Sequence, residues 1–329
     1  MNSSTPSRTA SPYPIEIDPP DITPWRSGNT GVDYVHRIES GRPGPTVMVQ
    51  ALTHGNEYCG AMALDGLLRQ LGDRTLSLQA GRLILAFANV EAYARFDFAD
   101  PVRSRFIDED YNRVWADEVL FGPRDSAELR RARQLQPFVD EADYLLDIHS
   151  MHEPCRPIMV CGMADKHLEL ARRIGLPADL MIDLGHPAGL RMRDRGSFSD
   201  PASPRQALLV ECGQHWEASS ADVARDTMLR FLAATGSLPE AAVAPHLSVP
   251  LPERQRVVRV TEPVVARSMD FRFLVPLDGL GVIEKAGTPI AQDGDTVWRA
   301  PYDRTVLVMP SLQHLKPGNT QVRLGRYDD

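Results

Sequence analysis

A histidine and a glutamate three residues apart, His54-Gly-Asn-Glu57, directly follow the apolar run Thr46-Val-Met-Val-Gln-Ala-Leu52. An imidazole nitrogen and a carboxylate oxygen at that spacing suit a zinc ion if the backbone lets both side chains converge. A strand handing over to a helix meets that condition, because ligands of open α/β sheets bind outside the carboxyl ends of strands. Apolar residues at 62, 64, 67, 68 and 71 lie close to helical spacing, so a helix over 57–71 is expected. The chain also holds an internal control, His36-Arg-Ile-Glu39, inside a stretch whose composition favours a strand. Residues three apart on a strand point to opposite faces, so His36 reads as structural.

Two further donors stand at the ends of apolar runs: His149 in Tyr144-Leu-Leu-Asp-Ile-His149, and Glu211 in Leu208-Leu-Val-Glu211. Three strand ends then bring two imidazoles and two carboxylates to one sheet edge. Two histidines and a glutamate form a catalytic zinc set that leaves a fourth position for water, whose pKa such a site lowers to about 7. The remaining carboxylate, Glu211, is placed to act as general base. Arg113, preceded by Asn112 in the long irregular stretch 97–123, is the candidate to stabilise a tetrahedral oxyanion, a role worth ~3–4 kcal/mol. His152 is an alternative to His149 as ligand; His149 is preferred because it follows directly on the strand that would fix it. An unpaired carboxylate buried at a strand end is costly, which favours a functional reading of Glu211.

The elements that must position these groups alternate. Strand candidates at 46–52, 82–88, 142–148, 158–161 and 206–210 are interleaved with helix candidates at 57–71, 126–139, 166–174 and 218–234. That alternation means an α/β domain built on a central sheet. Beyond a Pro- and Ala-bearing linker at 239–252 the helical pattern stops. Short strand candidates at 256–260, 271–273, 281–284 and 305–309 follow, separated by Gly, Pro and Asp turns. The expected organisation is a flexible amino-terminal arm over 1–22, an α/β hydrolase domain over 23–250, and a small all-β domain over 251–329.

Bulk properties narrow the function further. The 329 residues are 43% hydrophobic and 24% charged with a net charge of −8, which is ordinary for a globular enzyme and argues against nucleic acid or an anionic membrane surface as partner. No run of eighteen apolar residues occurs, and the amino terminus lacks the apolar core of a secretory signal. Four cysteines without paired spacing fit neither a disulfide scaffold nor a structural zinc site, so a reduced, cytoplasmic protein is expected.

The strings "THGNE", "DYNRVW", "DIHSM" and "VECGQ", in this order, resemble the succinylglutamate desuccinylase/aspartoacylase branch of the zinc carboxypeptidase-like hydrolases. The resemblance covers about residues 21–329. It implies a mixed central sheet flanked by helices with a small carboxyl-terminal β domain, and one zinc per chain held by His54, Glu57 and His149. It also implies Glu211 as general base, Arg113 polarising the scissile carbonyl, Asn112 helping to hold a substrate carboxylate, a β domain that narrows the cleft against long peptides, and a homodimer. One departure bears on substrate. Aspartoacylases carry a Tyr and an Arg shortly before the catalytic Glu, where this chain has Ser197-Phe-Ser-Asp-Pro201; the nearest basic candidates are Arg191, Arg193 and Arg195. The expected activity is zinc-dependent cleavage of the amide of a small N-acyl amino acid, with a short-peptide carboxypeptidase or a catalytically silent zinc-binding homologue as alternatives.

Overall fold

The computed structural model describes residues 13–313 and 315–328. Fourteen strands run in chain order as β1 (Val35–Glu39), β2 (Thr46–Ala51), β3 (Arg82–Phe87), β4 (Tyr144–Met151), β5 (Ile158–Val160), β6 (Asp179–Ile182) and β7 (Gln206–Gln214). They continue as β8 (Arg256–Val265), β9 (Arg272–Phe273), β10 (Val282–Ile283), β11 (Pro289–Asp293), β12 (Thr296–Arg299), β13 (Thr305–Val308) and β14 (Thr320–Tyr327). Eleven of them form one mixed sheet in the order β1-β3-β2-β4-β7-β5-β6-β8-β14-β13-β10, and β12-β11-β9 form a small separate antiparallel sheet.

Strict alternation along the central strands makes the layers. Val47, Val49 and Ala51 of β2, Leu146 and Ile148 of β4, and Leu208, Val210 and Cys212 of β7 pack into one core with the helices Cys59–Gly72 and Ala218–Ala234. Met48, Leu145 and Ala207 point the other way, where Leu129, Leu135 and Phe138 of the helix Ala127–Glu141 cover the sheet. Ser126 starts that helix as a side-chain cap, accepting from the Leu129 backbone N–H at 3.0 Å, and so satisfies one of its unpaired amide groups. The pleat therefore sends Asp147, His149 and Glu211, which alternate with helix-facing residues, to the opposite face.

The carboxyl-terminal end holds the expected small antiparallel sheet, β12-β11-β9, beside strands that continue the main sheet. β8 pairs in parallel with β6, and β14 and β13 extend the same sheet. Only the three short strands β9, β11 and β12 are separate from it. The amino-terminal arm expected to be flexible falls outside the described residues over 1–12. Its remainder packs on the main core: Ile22 is buried there, Tyr13, Ile15 and Ile17 lie against it, and the Glu16 N–H bonds the Trp216 carbonyl at 2.9 Å.

A candidate metal centre at the strand ends

β2 ends at Ala51, and Leu52 takes a left-handed backbone, φ +59°, that swings the chain out of the sheet. The next residues cross over closely packed backbone: a Cβ on Gly55 would come within 2.3 Å of the Ser104 carbonyl oxygen and 2.4 Å of the Tyr93 nitrogen. Only glycine fits between His54 and Glu57 at that approach. The helix then begins at Cys59, two residues later than the spacing suggests, so Glu57 lies in the turn before it.

His54, Glu57 and His149 meet. The Nδ1 atoms of His54 and His149 lie 2.6 and 2.8 Å from the two oxygens of Glu57, all three side chains are buried, and one ligating atom from each lies within 4.8 Å of the others. Each imidazole is anchored by its far nitrogen: His54 Nε2 is 3.0 Å from Asp110 Oδ1, and His149 Nε2 is 2.8 Å from Asp147 Oδ2. With the His149 ring proton on Nε2, where the Asp147 carboxylate accepts it, His149 Nδ1 keeps its lone pair. That histidine–carboxylate arrangement is how metal-ligating imidazoles are oriented. Asp147 is itself fixed by the Thr53 hydroxyl at 2.7 Å, which in turn accepts from the Gln50 amide at 2.8 Å. Two nitrogens and a carboxylate, with no thiolate beside them, fit zinc. Cys155 also borders the cavity, but burial pushes its thiol up to about 12 and keeps it neutral.

Electrostatics agree with a site prepared for a cation. Burial opposes ionisation of Glu57, yet His54 and His149 outweigh it and hold the carboxyl well below its ordinary range. Burial likewise opposes charge on His149, but Asp147 and Glu57 prevail and raise its pKa well above 6.5. Glu211 behaves in the opposite way. Burial dominates, reinforced by Glu57 and Asp147, and lifts it to about 8 although His149 and Arg105 pull it down. Among the described residues its Oε2 is buried with no hydrogen-bond partner.

His54, Glu57, His149, Glu211 and Arg105 border one cavity, which also takes in Asn112, Arg113 and Arg191. Asn112 is fixed by the Met192 N–H, which donates to its Oδ1 at 2.9 Å, while its amide nitrogen lies 3.4 Å from His149 Nε2. Arg113 donates to the Asn112 carbonyl at 2.8 Å and is 3.8 Å from Asp110; it makes no contact with the triad. The guanidinium that does so is Arg105, for which the sequence offered no sign. Its Nη1 is 3.0 Å from Glu57 Oε1 and its Nη2 is 3.0 Å from His54 Nε2.

The three arginines proposed for substrate separate. Arg191 borders the cavity but is already bidentate to Asp183 at 2.8 Å twice and bonded to Asp194 at 2.5 Å. Arg193 and Arg195 do not reach the cavity. Arg193 is buried against the Cys161 and Ala207 carbonyls, and Arg195 is held by Asp140, Asp117 and the Trp115 carbonyl. A spacing of two would align them on a strand, but Met192–Asp194 is a 3-10 turn, which fans successive side chains around its axis. His152 also borders the cavity, its Nδ1 3.2 Å from Glu153, while His36 bonds the Trp25 carbonyl from the edge strand β1.

The fold and the sequence around this cluster are those of a family of deacylating hydrolases. Residues 43–235 match the family model for the succinylglutamate desuccinylase/aspartoacylase catalytic domain, and the chain belongs to that family. No curated protein matches it by sequence. Among solved structures it is similar to a succinylglutamate desuccinylase from Vibrio cholerae, at 19% identity and a TM-score of 0.68, covering 91% of this chain and 88% of that one. A succinylglutamate desuccinylase from Vibrio parahaemolyticus aligns at 17% identity and a TM-score of 0.67, over 90% and 86% of the two chains. The product-bound ectoine utilization protein from Ruegeria pomeroyi aligns at 16% identity and a TM-score of 0.63, over 89% and 88%. At such identities the likeness establishes the shared fold. Among the described residues no helix is long and apolar enough to cross a membrane.

Proposed function

We propose that the chain is a cytoplasmic zinc-dependent deacylase that hydrolyses the amide of a small N-acyl amino acid. One observation carries this reading: the buried, unpartnered Oε2 of Glu211 borders the same cavity as the convergent His54, Glu57 and His149. Bound at that triad, a zinc ion would supply Lewis acidity toward the amide carbonyl and make water acidic enough to attack at neutral pH.

The chain's own residues then divide the remaining work. Glu211 takes a proton from the attacking water and returns it to the departing nitrogen. A pKa near 8 suits a group that must both accept and donate near neutrality. Arg105, touching Glu57 and His54, faces the negative charge that develops on the carbonyl oxygen. Its contact with the triad favours it over Arg113 for that task. Asn112 and Arg113, one step further out, are placed to hold a substrate carboxylate, Arg113 having a nitrogen not committed to a close partner. Met309, Pro310 and Ser311, from the segment after β13, also line the cavity and narrow it, which supports a small substrate over a long peptide.

The zinc-loaded chain should release free acid from a panel of N-acetyl, N-succinyl and N-formyl amino acids. Release of carboxyl-terminal residues from short peptides without cleavage of those amides would establish the carboxypeptidase reading. Inactivity toward both, with zinc bound, would leave a silent binding protein.

A further inference from the structure

Leu209 lies two residues before Glu211 on β7, so the two side chains share one face of the sheet. The antiparallel pairing of β7 with β5 sets Val160 beside Leu209, and the parallel pairing of β5 with β6 sets Met181 beside Val160. Leu209, Val160 and Met181 thus form a row across three adjacent strands, one pleat back from the proposed base. At the usual strand rise and spacing the row starts about 7 Å from Glu211 and runs sideways for about 10 Å.

All three residues border the cavity of the triad, as do Met151 and Met309. Met151, Val160, Met181 and Leu209 belong to one buried apolar cluster, against which Met309 packs. None of these side chains carries a strong hydrogen-bonding group, and the backbone of the row is engaged in the strand ladder. Such a wall gives a charged group nothing in exchange for its water. A hydrocarbon group gains by leaving water there, and the three methionines, unbranched and flexible, let the wall follow its shape. Arg323 also borders the cavity, so an arm ending in a carboxylate is the competing occupant.

Taking the deacylase reading as its basis, we propose that the row Leu209–Val160–Met181 receives an apolar arm of the substrate, so that the chain favours amides bearing an uncharged hydrocarbon group longer than a methyl. The arm is either the acyl chain or the side chain of the amino acid, and the recognising contacts are the same for both.

Calorimetric titration of the zinc-loaded full chain with two series of product-like ligands separates these sources without requiring turnover. Acetate, butyrate and hexanoate report the acyl side; alanine, norvaline and norleucine report the amine side. Succinate and glutamate are the charged comparators. Affinity should rise about fourfold for each methylene buried along at least one series, with an increasingly negative heat-capacity change. In that series butyrate should outbind succinate, or norvaline glutamate. Val160→Thr keeps the shape of the row but puts a hydroxyl on it, and should weaken the longest member by about fourfold or more. If that variant does not fold, the wild-type series decides alone. Affinity flat or falling with length in both series overturns the assignment. So does a charged comparator bound more tightly than its apolar match in the rising series, or an unchanged gradient in folded Val160→Thr. Length-dependent binding in a chain that cleaves neither N-acetyl nor N-butanoyl amino acids would instead refute the deacylase reading and leave the apolar site standing. Cleavage of those amides with no gain in affinity along either series would refute the site and leave the deacylase reading.

Discussion

His149 and Glu211 are direct cross-strand neighbours: the parallel pairing of β4 with β7 sets one opposite the other. Paired residues on adjacent strands share a face, so a proposed metal ligand and a proposed base are held side by side by backbone hydrogen bonds. Loop conformation does not enter into that spacing. The ladder shifts register just after this pair, between His149 and Met151. The strands are thus in regular pairing up to the chemical residues.

Glu211→Gln should lower kcat by about two to four orders of magnitude, since general base catalysis is typically worth that much. The same change should stabilise the zinc-free chain. Glu211 binds its proton more tightly folded, at about 8, than at the ordinary 4.5. The folded state therefore holds the extra proton between those values, and stability falls as pH rises through that window. Thermal melts should show no advantage for the Gln variant below about pH 4.5 and the largest advantage above about pH 8, on the order of 5 kcal/mol. A variant destabilised at high pH would contradict the environment described for this carboxyl.

His149 sets the pH dependence of metal uptake. Its pKa is raised well above 6.5 without metal, chiefly because Asp147 and Glu57 outweigh burial. The ring must be neutral at Nδ1 to ligate, so zinc binding releases a proton and affinity weakens as pH falls. Competition with a chelator from about pH 8 to pH 6 should show that loss, and the heat of binding should vary with the ionisation enthalpy of the buffer. Asp147→Asn, which loosens the hold on His149, should cost about 10–100-fold in zinc affinity.

Arg105 and Arg113 should separate kinetically. Arg105→Gln removes the guanidinium that touches the triad, and a loss of about 10²–10³ in kcat is expected with KM little changed. Arg113→Gln should instead raise KM by about tenfold. The reverse pattern in steady-state kinetics would return the polarising role to Arg113.

Arg193→Met should leave KM unchanged but lower the thermal midpoint, because Arg193 bonds buried carbonyls of Cys161 and Ala207 and stands away from the cavity. A cost of about 2–4 kcal/mol is expected for stranding those acceptors.

How much of this was legible follows from which residues carry a local pattern. His54, Glu57, His149 and Glu211 could be found because each closes or follows an apolar run, and the end of a buried strand is a recognisable place. The main helices were readable for the same reason, and Ala218–Ala234 spans the residues its periodicity indicates. Asp147 was in view but its task was not, since its bond to His149 arises from a two-residue offset on one strand face. Arg105 was invisible. Arg105 sits in irregular backbone without a period. The arginines at 191, 193 and 195 were singled out only as the basic residues nearest to Ser197–Pro201, and nearness in sequence does not say which of them a 3-10 turn directs to the cavity. Continuity of the sheet through β6 and β8 was likewise hidden, because strand partners far apart in sequence leave no local trace.

The most direct test is to strip the chain of metal and titrate zinc back while following hydrolysis of an N-acyl amino acid that the intact protein cleaves. Activity should be absent at the start, rise linearly, and level off at about one equivalent per chain, the occupancy a single triad allows, with His149→Ala failing to recover. A stripped chain that cleaves its amide at the full rate, or a His149→Ala chain restored by the same single equivalent, would contradict a metal-centred hydrolase built on these residues.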